Sequence, residues 1–115
     1  MNVKRAETII LTKDLAVMRD FYRDKLGLEV LRDDGHVVAF RGGIGMHPRN
    51  ERHSKPANAP NNVDIALWVD DIHTASKELR GRGVKFTTEP FEEGPIWLSM
   101  VTDPEGNDVL IMQRK

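Results

Sequence analysis

With no cysteine among its 115 residues, the chain has no thiolate nucleophile and no thiolate metal ligand. Its chemistry must come from carboxylates, histidines and aromatic faces. Two acids stand out by position. Glu7 and Asp64 each lie seven residues before an aspartate suited to cap a helix, Asp14 and Asp71, and each opens an apolar run. Strand alternation puts Glu7, Ile9 and Leu11 on one face, Asp64, Ala66 and Trp68 on another, and Leu110 with Met112 on a third. Ile10, Ile65, Leu67, Val109 and Ile111 fall on the opposite faces, which are apolar enough to pack beneath helices. The acid-bearing faces would line an apolar cavity with aromatic surface and two carboxylates, the usual make-up of a small-molecule pocket. Trp68 and Trp97 offer it stacking faces, although a lone tryptophan more often serves a core or an interface. Ser99 and Thr102 have no partner pattern to activate them as nucleophiles. His36, His53 and His73 read as surface residues, and Arg80, Arg82 and Lys85 as a solvated cluster at a helix end.

The elements that must position these residues follow from local signals. Glu7–Thr12 is short and β-branched, hence a strand. Asp14 caps a helix over Leu15–Lys25, whose Leu15, Met18, Phe21, Tyr22 and Leu26 form one stripe, and Gly27 ends it. Leu28–Leu31, His36–Phe40 and Ile44–His47 are strands separated by turns at Asp33-Asp34-Gly35 and Gly42-Gly43. The same plan then restarts. Val63–Val69 is a strand, Ile72–Arg82 a helix capped by Asp71 and ended by Gly83, and Val84–Thr87, Trp97–Thr102 and Asp108–Gln113 are strands. Asp103-Pro104-Glu105-Gly106-Asn107 turns the last pair.

The punctuation repeats: Asp14 and Asp71 are 57 residues apart, as are Glu7 and Asp64, and Gly27 and Gly83 are 56 apart. The expected organisation is one domain over residues 1–115, made of a module at about 5–48, a Pro- and Asn-rich linker at about 49–61 and a second module at about 62–115. Seventeen basic against eighteen acidic residues give a net charge of −1, which offers no field for nucleic acid or an anionic membrane. No apolar run approaches a membrane span, and Glu7 interrupts the place a signal peptide would need, so a cytoplasmic protein is expected.

Asp14-Leu15 with Phe21-Tyr22-Arg23-Asp24-Lys25-Leu26-Gly27-Leu28, and Thr102-Asp103-Pro104-Glu105-Gly106-Asn107 near the other end, resemble the vicinal-oxygen-chelate superfamily. That group includes glyoxalases, bleomycin-resistance proteins, fosfomycin-modifying enzymes and extradiol dioxygenases. The resemblance covers nearly the whole chain. It implies an α+β fold of two tandem βαβββ modules with curled mixed sheets, usually assembled as a homodimer around a ligand cavity.

The resemblance also implies where a divalent metal would sit: His on the first strand and Glu on the last strand of each module. Here the first-strand positions are Glu7 and Asp64, and the last-strand positions are Gly45 and Leu110. Both histidines are replaced by acids and both glutamates by residues that cannot ligate. Two carboxylates alone hold a hydrated Mg²⁺ or Ca²⁺ only weakly. The alternative set is Glu7, His47 and Asp64, since His47 lies two residues past Gly45 and shares its face. The expected activity is therefore metal-independent binding and sequestration of a small organic ligand, of the bleomycin-resistance-like type. Its site would use Glu7, Ile9, His47, Asp64, Trp68, Trp97, Leu110 and Met112, with the acids recognising an amine or hydroxyl. The alternative is a glyoxalase-type lyase or isomerase with one divalent metal on Glu7, His47 and Asp64. No nucleic-acid or membrane partner is expected.

Overall fold

The computed structural model describes residues 1–49 and 64–115. The chain divides into two compact units, Met1–Asn61 and Asn62–Lys115. The expected linker lies outside the described residues except for Arg49, whose N–H donates to the Thr12 carbonyl at 3.0 Å. No helix among the described residues is long and apolar enough to cross a membrane.

The first unit runs β1 (Thr8–Thr12), α1 (Leu15–Asp20), β2 (Val30–Asp33), β3 (Val38–Phe40) and β4 (Ile44–Pro48). Asp14 caps α1 by accepting the Val17 N–H at 3.1 Å. The helical stripe predicted to Lys25 is continuous, but from Phe21 to Lys25 it widens into a π-helical turn. Met18 and Tyr22 stay fully buried, with Tyr22 packed against the Phe40 ring. Gly27, at φ 79°, takes the left-handed conformation that ends the segment.

The second unit repeats the order with β5 (Ile65–Trp68), α2 (Ile72–Gly81), β6 (Phe86–Glu93), β7 (Ile96–Thr102) and β8 (Asp108–Arg114). Asp71 caps α2 through the N–H groups of His73 and Thr74, at 3.0 and 3.1 Å. Ile72, Ser76 and Leu79 face inward at helical spacing.

Each unit holds a four-stranded mixed sheet with the same layout, β1-β4-β3-β2 and β5-β8-β7-β6. The first and last strands of each unit pair in parallel, and the other pairs are antiparallel. The fold is α+β with curled, unclosed sheets, as the sequence implies. Ile10 and Met46 in the first unit, and Ile65, Val109 and Ile111 in the second, are buried on the helix-covered faces.

One element departs from expectation. A strand ending at Thr87 continues to Glu93, through Pro90. Proline cannot donate to a ladder, but among the described residues β6 pairs only with β7 and stands at the end of its sheet. The pairing register shifts between Thr88 and Phe91, around the proline.

Candidate functional site

In the first unit, strand alternation turns Glu7, Ile9, Leu11, Gly45 and His47 toward the sheet face away from α1. The register sets Ile9 beside Gly45 and Leu11 beside His47. A groove of about 480 Å³ opens on this unit, with Leu31, Val37, Ala39, Gly42 and Gly43 lining it together with Arg5, Glu7 and Arg32. Small residues keep it open. Gly43, at φ 81°, lets the β3–β4 turn pass close to the chain before β1, where Thr8 N–H donates to its carbonyl at 2.8 Å.

Glu7 is not a free negative group. Its carboxylate pairs with the Arg5 guanidinium at 2.6 Å, and its side chain is 24% exposed against 75% for Arg5. Arg5, Leu31, Arg32 and Ala39 were not among the expected site residues. Arg5 was within reach of the sequence argument, being two residues before Glu7 on the same alternating face. The others depend on the pairing of β2 and β3, which no local signal announces.

The corner between β1 and β4 is filled by hydrocarbon. A Cβ built on Gly45 would stand 2.7 Å from Ile9 Cδ1 and 3.5 Å from Glu7 Oε2. Ile9 therefore lies over the spot where a side chain at position 45 would begin. His47 stands farther along β4, beside Leu11, with its ring nearly parallel to that of His36 at 6.1 Å. Its row is four residues from that of Glu7, roughly 13 Å along the strands at 3.3 Å per residue.

In the second unit, Asp64 is exposed immediately before β5. Ala66 lies beside Leu110 and Trp68 beside Met112. Trp68 is 53% exposed, and the Arg114 guanidinium sits 5.2 Å from its ring centre. These two residues line a separate pocket of about 430 Å³ with Val69, Asp70 and Gln113. Trp97 is not brought to them. It pairs across the ladder with Gln113, and its ring meets His73 of α2 edge-on at 5.0 Å. Gln113 accepts the Ile72 N–H of the same helix at 2.7 Å. Trp97 thus belongs to the helix-covered face, opposite Leu110 and Met112. The run Trp97-Leu98-Ser99-Met100-Val101 has no clear polar alternation, so the sequence did not reveal which residues face the helix.

The model of the Glyoxalase/Bleomycin resistance protein/Dioxygenase superfamily matches residues 4–111. The chain belongs to that superfamily. A probable lactoylglutathione lyase of Synechocystis sp. (strain ATCC 27184 / PCC 6803 / Kazusa) is 28% identical over 120 residues, covering 92% of each chain. Among solved structures, a protein of unknown function from Agrobacterium tumefaciens superposes with a TM-score of 0.82 at 21% identity, over 100% of this chain and 97% of that one. TnmS3, an antibiotic binding protein from Streptomyces sp. CB03234, superposes with a TM-score of 0.77 at 22% identity, over 100% and 99%. These two likenesses concern the fold.

The resemblance to the superfamily implies a divalent metal. In neither unit do three described His, Asp or Glu side chains gather closely enough to hold an ion. Within the first unit, Glu7 meets Arg5 and the Ile9–Gly45 corner rather than a second donor, and His47 lies four rows away. A transition metal requires three or four donors converging at about 2 Å.

Proposed function

We propose that the protein binds and sequesters a small organic molecule in the groove of its first module, without a metal. The observation that carries this reading is the groove of about 480 Å³ with apolar walls from Leu31, Val37 and Ala39. On the neighbouring stretch of β1 and β4 the Ile9 side chain covers Gly45, so hydrocarbon stands where the family resemblance would place a ligating carboxylate. Glu7 is the only acid lining that groove among the described residues, and Arg5 engages it. The groove's polar recognition therefore comes from an Arg5–Glu7 couple and Arg32, not from the amine-seeking pair of bare acids expected from the sequence. An antibiotic-binding protein built on the same fold supports binding as the activity.

The reading includes a cytoplasmic homodimer. Among the described residues the sheets end on β1 and β2 and on β5 and β6, and two of these edge strands, β2 and β6, each carry an exposed large side chain, Leu31 at 54% and Phe91 at 38%. A second copy would cover such edges.

Native mass spectrometry of protein purified without chelator tests the proposal, alongside elemental analysis. The expected result is a noncovalent organic adduct without stoichiometric metal, abolished by Ala39→Trp, which fills the groove. Light scattering should give twice the chain mass. One tightly held divalent ion per chain, lost in Glu7→Ala, would overturn this reading and leave the metal-dependent lyase or isomerase on Glu7, His47 and Asp64 as the one to assay.

A further inference from the structure

Two charged side chains of the second module, Arg114 and Asp70, face one pocket and have no counter-ion among the described residues. Arg114 closes β8 and lies against the Trp68 ring; Asp70 follows two residues after Trp68. Neither makes an ion pair or side-chain hydrogen bond with any described residue. For Arg114 this is unusual among the described arginines, because Arg5, Arg19, Arg23, Arg32, Arg41, Arg80 and Arg82 all find an acid. Both unpaired groups line one pocket with the half-exposed indole. Gln113, the other polar side chain there, already has its amide oxygen occupied by Ile72 N–H.

The chemistry of a complementary ligand follows from that inventory. An exposed indole gains from a flat ring laid against it. A guanidinium held beside an aromatic ring presents a forked donor to a carboxylate with less rotamer freedom to lose. A nearby unpaired carboxylate accepts from an ammonium group. We propose that this pocket is a second ligand site, sharing no lining residue with the first-module groove, and that it takes a small aromatic zwitterion of the amino-acid class. Trp68 covers the ring, Arg114 holds the carboxylate and Asp70 holds the ammonium.

The test uses three matched probes: 4-(aminomethyl)benzoate, which carries both charges, benzylamine, which is only cationic, and 4-methylbenzoate, which is only anionic. Trp97→Phe leaves Trp68 as the single tryptophan, so its fluorescence reports binding directly. Saturation-transfer NMR on the unaltered protein gives a parallel measurement that does not depend on that variant. The zwitterion should bind about tenfold more tightly than either control. Arg114→Gln should bring it to the level of benzylamine, and Asp70→Asn to that of 4-methylbenzoate. Ala39→Trp in the first module should leave the titration unchanged. Equal affinities for the three probes, indifference to both charge substitutions, loss of binding in Ala39→Trp, or no response at millimolar probe would each overturn the proposal.

Discussion

The two modules share element order, sheet layout and register, yet they fill the same corner from opposite strands. In the first, the large side chain comes from β1 and the small residue from β4, Ile9 beside Gly45. In the second the sizes are reversed, Ala66 on β5 beside Leu110 on β8. Each corner receives one branched aliphatic side chain. Close packing constrains total volume at a contact more tightly than the identity of its contributors. The result in both modules is hydrocarbon at the last-strand position where the family resemblance would place a metal-binding glutamate.

The turns that precede the last strands also differ. The first module reverses direction on Gly42 and Gly43, with φ of 106° and 81°. The second uses the buried Asp103, which accepts from Glu105 N–H at 2.9 Å, Asn107 N–H at 3.0 Å and Asn107 Nδ2 at 2.7 Å. One turn is built from backbone freedom and the other from a polar network. They should therefore fail differently. Asp103→Ala strips partners from three donors and should cost about 2–4 kcal/mol, the largest effect expected. Gly43→Ala strains a left-handed residue and should cost about 1 kcal/mol. Urea unfolding of both variants ranks them, and equal costs would erase the distinction between the turns.

The corner itself can be transplanted. Gly45→Leu imposes the second module's residue on the first without removing Ile9, and should destabilise by about 1–3 kcal/mol through overpacking. Adding Ile9→Ala recreates the Ala66–Leu110 pairing and should recover most of the loss. A double-mutant cycle in urea measures this coupling. Additive costs would mean that the two positions do not share one volume.

The smallest expected contrast lies in acid sensitivity. In the second module, the Thr74 backbone N–H holds the Asp71 carboxyl below its ordinary value. In the first, the Val37 backbone N–H does the same for Asp34 in the β2–β3 turn, helped by Arg32 and His36 N–H. A depressed folded-state pKa stabilises fully above the unfolded-state value of about 3.9, and that contribution is lost as pH falls through the folded value. Below about pH 4, amide exchange should therefore quicken at His36 and Val37 in one module and at His73 and Thr74 in the other. Asp34→Asn and Asp71→Asn should each abolish the pH dependence in their own module only. Loss of both responses in either variant would show that the two modules open as one unit.

Much of this architecture was legible because its signals are local. Asp14 and Asp71 cap the helices they precede, Gly27 and Gly83 end them, and the Asp103–Asn107 turn uses the residues that such a turn requires. Each depends on backbone conformation and hydrogen bonds spanning a few residues, and their repetition at nearly constant spacing carried the duplication and the α+β fold. The matching of Gly45 to Leu110 was also available by alignment, and the register of Ile9 and Ala66 agrees with it. Tertiary structure alone decided that β6 runs past Pro90, because only its place at the sheet edge removes the need for that N–H. It also turned Trp97 to the helix, brought Leu31 and Ala39 to the groove with Glu7, and laid Arg114 against Trp68. Those outcomes depend on which strands become neighbours and in what register. Pairing between segments tens of residues apart is selected by the packing of the whole sheet, and no short stretch of sequence contains it.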